Sequence, residues 1–189
     1  MPPQDARHSL FLGRIDGELG RFQEALPYLR RVTELKPENA RGWQLLARCL
    51  QRLEDYSRSL RPPQQAVCLA PQEPACRYAL AAALYMTGQV DAAEPEYRTA
   101  LRMAPNHVEA HYDLGHLYWQ ARRDWRRGEA EFQRALEIDP GHVSAVNALA
   151  VLYYQTGRRA QALDLMENAL RRYPGHPGLQ ENLHKMRRG

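Results

Sequence analysis

Lysine is almost missing from this chain. Lys36 and Lys185 are the only two, so the net charge of +4 rests on arginine. A compositional bias explains that preference as well as a ligand does, until position gives it meaning. No apolar stretch approaches the ~20 residues that a membrane helix needs. The three cysteines are odd in number, and Cys49, Cys68 and Cys76 show no CxxC spacing, which leaves no zinc clip or redox pair in the sequence. Cys49 and Cys76 read as small buried hydrophobes; a Cys68–Cys76 disulfide across the intervening turn is the alternative. No Gly-rich phosphate loop or nucleophile motif occurs. The start, Met1-Pro2-Pro3-Gln4-Asp5, lacks the basic residues and apolar run of a secretory signal. Together with the cysteine usage, this points to a cytoplasmic home.

What the chain does have is a period. Pro37, Pro71, Pro105, Pro140 and Pro174 are spaced 34, 34, 35 and 34 residues apart. Leu12, Leu46, Leu80, Leu114 and Leu149 keep nearly the same interval, and each precedes a very small residue: Gly13, Ala47, Ala81, Gly115 and Ala150. A second small column runs Ala25, Ser59, Ala93, Gly128, Ala162, and a third Val32, Ala66, Ala100, Ala135, Ala169. Small residues are required where helices cross closely, because side-chain bulk sets the distance between axes. Each proline ends a helix and steers its predecessor out of helical geometry. Turn residues lie between, as in Gly20-Arg21-Phe22, Gly88-Gln89-Val90 and Gly157-Arg158-Arg159. Each unit therefore reads as helix, tight turn, helix, short loop. One such pair cannot bury its apolar face alone, and about three or more must stack. The units fall at 6–39, 40–73, 74–107, 108–142 and 143–176. A capping helix over 177–188 uses Leu179, Leu183 and Met186 to cover the last pair.

Trp43…Leu46-Ala47…Leu50, Leu114-Gly115…Tyr118 and Ala135-Leu136-Glu137-Ile138-Asp139-Pro140 resemble the tetratricopeptide repeat, and the likeness covers nearly the whole chain. The resemblance implies an all-α, right-handed superhelical solenoid of antiparallel helix pairs. It also implies a protein-binding scaffold or adaptor rather than an enzyme, with no cofactor. Chaperone-binding members of the family clamp a C-terminal carboxylate with Lys and Asn, then Asn, then Lys and Arg from three successive first helices. Units 1–3 offer Leu10 and Arg14, Leu45, then Ala75 and Ala79, and the later triplets fit no better. An Hsp70 or Hsp90 tail is not the expected partner.

Two units break the pattern. Unit 2 carries Arg61-Pro62-Pro63, with Pro63 where the others have Leu29, Tyr97, Phe132 and Met166. Proline inside a helix costs ~3 kcal/mol or more, so the helix is expected to start late or kink near Pro62. Unit 4 has one extra residue, which the sequence places in the Arg-rich turn Ala121-Arg122-Arg123-Asp124-Trp125.

In stacked helix pairs the first helices line the concave side, and the second, fifth, ninth and twelfth residues of each unit share a stripe that the packing columns leave unused. That stripe selects Arg7 and Arg14 from unit 1 and Arg41, Gln44 and Arg48 from unit 2. From units 3 to 5 it selects Tyr78 and Tyr85, then Tyr112, His116 and Trp119, then Asn147 and Tyr154. Arginines suit acidic or phosphorylated segments, and Tyr and Trp dominate binding hot spots. The expected partner is a peptide or helix with an acidic portion and an aromatic or apolar anchor. Competing readings are a substrate-recruiting module of a larger enzyme, self-association, and, less favoured because acids such as Glu109 and Asp113 intrude, RNA. His107, His111 and His116 approach metal spacing, but no cysteine or carboxylate completes a set.

Overall fold

The computed structural model describes residues 5–53, 55 and 60–188. Met1 to Gln4 and the small-column position Ser59 lie outside the described residues. Among those described there is helix, turn and loop but no strand, and no helix is long and apolar enough to cross a membrane. The chain forms two compact bodies, divided between Pro105 and Asn106.

The first body holds α1 (Ala6–Glu18), α2 (Phe22–Leu35), α3 (Ala40–Arg52), α4 (Arg61–Leu69), α5 (Pro74–Met86) and α6 (Val90–Met103). Each helix packs on the next, and the first helices also meet, α1 on α3 and α3 on α5. The small columns explain this closeness. Ala25, Ala47, Ala66, Ala81, Ala93 and Ala100 are completely buried. A β-carbon added to Gly42 would stand 2.6 Å from Cγ1 of Val32 at the α2–α3 crossing. Gly20 and Gly88 end first helices with φ of +74° and +79°, the left-handed turn that glycine adopts without strain. The second helix of unit 2 begins at Arg61 among the described residues, while 56–59, which correspond to the first turn of α2 and α6, lie outside them. α4 has 9 residues where α2 and α6 have 14, and Pro62 and Pro63 sit in its first turn. There their missing N–H groups cost nothing.

The second body holds α7 (Val108–His116), a π turn (Leu117–Ala121), α8 (Trp125–Ile138), α9 (Val143–Gln155), α10 (Arg159–Arg172) and α11 (Pro177–Arg188). Leu179, Leu183 and Met186 are buried against Ala150, Ala162 and Met166, as expected of the cap. The extra residue of unit 4 is placed differently from the expectation. It is taken up inside the helix, where Arg122 N–H reaches back five residues to the Leu117 carbonyl at 3.1 Å. Arg123 then takes the left-handed turn position, φ +56°, that Gly157 holds at +79° in the next pair.

Candidate functional site

In the first body, helix α1 is started by Asp5, whose side chain accepts the Arg7 N–H at 3.0 Å. Helix α3 is started by Asn39, accepting from Gly42 N–H at 3.0 Å. These caps fix where both helices begin, and their buried columns set the rotation and so the direction of the stripe. Arg7, Arg41 and Arg48 are exposed. Among the described residues no carboxylate pairs with any of the three, and Arg41 only donates to Gln44 Oε1 at 2.5 Å. Arg14 is committed locally, paired with Glu18 at 2.8 Å and lying 5.7 Å from the Phe11 ring centroid. On α5, Tyr78 and Tyr85 are half-buried; Tyr78 Oη accepts from Gln51 Nε2 at 2.8 Å, and its ring lies 6.2 Å from that of Tyr97. A cationic strip over α1 and α3 and two tyrosines on α5 thus share one body.

The aromatic members of the second body are drawn further inward than the stripe implies. The Tyr112 ring sits 4.7 Å from His116, 5.2 Å from His142 and 6.0 Å from Phe132. Burial, and next the Asp113 charge, raise its phenol pKa, while a hydrogen bond with Ser144 opposes them. His116 packs 5.2 Å from Phe132 and 5.4 Å from Trp119. Its Nε2 is buried with no hydrogen-bond partner among the described residues, and burial pushes its pKa down to about 4. It is a neutral ring serving the packing. Asn147 Oδ1 accepts from Asn182 Nδ2 at 2.7 Å, tying α9 to α11. Tyr154 is half-buried against the Val146–Leu179 cluster.

Trp119 corrects the expectation outright. It is 8% exposed and packs with Phe132, Leu149 and Leu152, its indole N–H donating to Gln155 Oε1 at 3.1 Å. The π turn is the reason: one added residue turns the indole from the stripe into the core. Gln120, exposed, stands three residues before Arg123 just as Tyr85 precedes Gly88 and Tyr154 precedes Gly157. Counting back from the turn, rather than forward from Leu114, gives that register from sequence alone.

Most of the histidines and cysteines take structural roles, while His8, His184 and Cys68 are exposed. His107, His142 and His176 are helix caps, each Nδ1 accepting a backbone N–H three residues on, at 3.3, 3.1 and 3.4 Å. They continue the column begun by Asp5 and Asn39. His111 Nδ1 meets Glu131 Oε2 at 2.6 Å. Among the described residues no three His, Cys, Asp or Glu side chains gather into a metal set. Cys49, Cys68 and Cys76 are all free, so the Cys68–Cys76 bridge is not formed. Burial pushes the Cys49 and Cys76 thiols up to about 11, far from a reactive thiolate.

Comparison with known proteins agrees with this architecture. Tetratricopeptide repeat family profiles match residues 78–123, 112–177 and 18–61. Among solved structures, the thermophilic TPR protein TTC0263 of Thermus thermophilus is 23% identical, with a TM-score of 0.77 over 96% of this chain and 98% of its own. MamA from Desulfovibrio magneticus RS-1 is 20% identical, with a TM-score of 0.74 over 91% of this chain and 97% of its own. YrrB, described as a TPR protein with an unusual peptide-binding site, is 20% identical, with a TM-score of 0.68 over 95% of this chain and 92% of its own. At such identities the likeness speaks for the fold alone. Among curated proteins none matches the sequence. The repeated columns, the helix pairs they build and the family profiles lead to one conclusion: the chain belongs to the tetratricopeptide repeat family.

Proposed function

We infer that this protein is an interaction module that holds an acidic segment of a partner protein on the α1–α3–α5 face of its first body. Repeats of this kind generally serve as protein-interaction scaffolds. YrrB is described as having a peptide-binding site, which adds plausibility to a peptide ligand here. The observation that carries the reading is the set Arg7, Arg41 and Arg48: three exposed guanidiniums on neighbouring first helices, none answered by a carboxylate of the described residues. An acidic segment would supply charge-assisted, two-pronged hydrogen bonds to such groups. Tyr78 and Tyr85 on α5 offer an adjacent place for an apolar or aromatic anchor.

The test is titration of the full chain with a labelled Asp/Glu-rich peptide carrying one aromatic residue. Saturable binding that weakens with salt, and falls tenfold or more in Arg41→Glu/Arg48→Glu with an unchanged unfolding midpoint, supports the reading. Equal binding by the double variant, or by a basic peptide of the same length, overturns it.

A further inference from the structure

A second surface lies in the other body, on the edge where first helices end and second helices begin. Two contacts show that this edge is continuous. Arg158, before α10, makes a two-pronged bond to Glu129 in α8 at 2.8 and 2.7 Å. Arg159, the first residue of α10, donates to the Arg187 carbonyl at the end of α11 at 2.7 Å. Along the edge stand exposed Arg122, Arg123, Arg126, Arg159 and Arg188. Of the acids nearby, Asp164 on α10 is exposed and has no ion pair among the described residues, and three others are engaged. Asp124 caps α8 and takes Arg127 Nε at 2.6 Å, Glu129 holds Arg158, and Glu167 holds Arg187 at 2.8 Å. Arginine therefore dominates what the edge presents.

Two further features point to a use for it. Trp125 is 40% exposed, whereas Trp43 and Trp119 are 7% and 8%. Arg123 occupies, at φ +56°, the turn position that is glycine in Gly20, Gly88 and Gly157. A side chain in left-handed geometry is strained, and such strain is commonly held where a surface has work to do.

We propose that this edge docks peripherally on an anionic lipid bilayer, its guanidiniums at lipid phosphates and the Trp125 indole at the headgroup boundary. Charge complementarity selects an anionic partner, and the single exposed tryptophan selects among anionic partners. Indole favours the membrane–water interface, while basic side chains near an anionic leaflet add attraction one by one. Single-stranded nucleic acid is held by successive aromatics on which bases stack, and the edge presents one exposed ring, Tyr153 being half-buried under the Arg158 guanidinium. None of its residues belongs to the peptide face of the first body.

The experiment is co-sedimentation of the full chain with vesicles of phosphatidylcholine alone, and of phosphatidylcholine mixed with phosphatidylglycerol. Emission of Trp125, the one exposed tryptophan, is followed in parallel. Binding to the mixed vesicles only, lost at high salt, with a blue shift absent in Trp125→Phe, is the expected result. Each of Arg122→Ala and Arg126→Ala lowers the partition about fivefold. Arg123→Gly is the decisive variant, because it raises the unfolding midpoint while lowering vesicle binding. No binding to mixed vesicles at low salt, equal binding to neutral vesicles, capture by duplex DNA in place of vesicles, or unchanged partition in an Arg122→Ala/Arg126→Ala double variant each overturns the proposal.

Discussion

A β-carbon placed on Gly115 would stand 2.6 Å from Cε1 and 2.7 Å from Cδ1 of Phe132, so the α7–α8 crossing is set by a ring that fills the room glycine leaves. The same column is alanine in units 2, 3 and 5. Gly13 meets a milder version of the clash, 2.7 Å from Cδ2 of Leu29. Both side chains are completely buried, but a leucine end has other rotamers to turn to, whereas a rigid phenyl ring must shift as a whole against its neighbours. Gly115→Ala is therefore expected to destabilise by about 1–3 kcal/mol, and Gly13→Ala by less. Urea midpoints of the two variants, at constant slope, check the order.

Trp119→Ala should act on stability and leave peptide binding intact. The indole fills the space between Phe132 and Leu149 and bonds to Gln155. Truncation removes that volume, leaves the Gln155 amide without its donor, and costs about 3–5 kcal/mol. Hydrogen exchange over residues 106–188 should accelerate, while the folded fraction titrates with acidic peptide as the unaltered chain does. A normal unfolding midpoint with weakened peptide binding would return Trp119 to the stripe.

Much of this architecture was legible in the sequence, because stacking forces the same bulk at the same place in every copy. Leu46 beside Ala47 and Leu149 beside Ala150 announce their helix crossings, and Pro62-Pro63 announces the helix start at Arg61. Three things were less visible. The extra residue of unit 4 shows as the 35-residue step from Ala93 to Gly128, but the columns do not say that helix rather than turn absorbs it. The cap column Asp5, Asn39, His107, His142, His176 keeps the period, yet its residues share only the ability to accept a backbone N–H. The state of the stripe also depends on neighbours that sequence does not rank. Arg14 is paired with Glu18 and Asn147 with Asn182, while Arg48 meets no carboxylate among the described residues.

The turn glycines separate backbone strain from packing. A β-carbon on Gly88 or Gly157 meets nothing within 4 Å, so only the φ of +79° opposes a side chain there. Gly88→Ala should cost about 1–2 kcal/mol, and Gly88→Asn less, because asparagine tolerates left-handed geometry better. Thermal midpoints of the pair measure the strain, and they supply the reference against which the gain in Arg123→Gly is read.

Acid should loosen the second body through His116. Its imidazole is held near pKa 4 by burial among Tyr112, Trp119 and Phe132, against 6.5 for the unburied group. The unfolded chain therefore takes up a proton that the folded chain refuses. The stability it contributes is complete above pH 6.5 and is lost as pH falls towards 4, at no more than about 1.4 kcal/mol per pH unit. His107 acts in the same sense, its pKa lowered first by burial and then by His111, with Glu109 opposing. As the Ala110 cap, its Nδ1 must also be free of a proton to accept. Urea midpoints taken from pH 7 to pH 4 should fall for the unaltered chain and fall less steeply for His116→Gln, once each variant is referred to its own value at pH 7. Titration of the His116 ring by NMR gives the direct reading. A midpoint near 6.5 would mean that water reaches the ring and that packing against Phe132 and Trp119 is not what holds it.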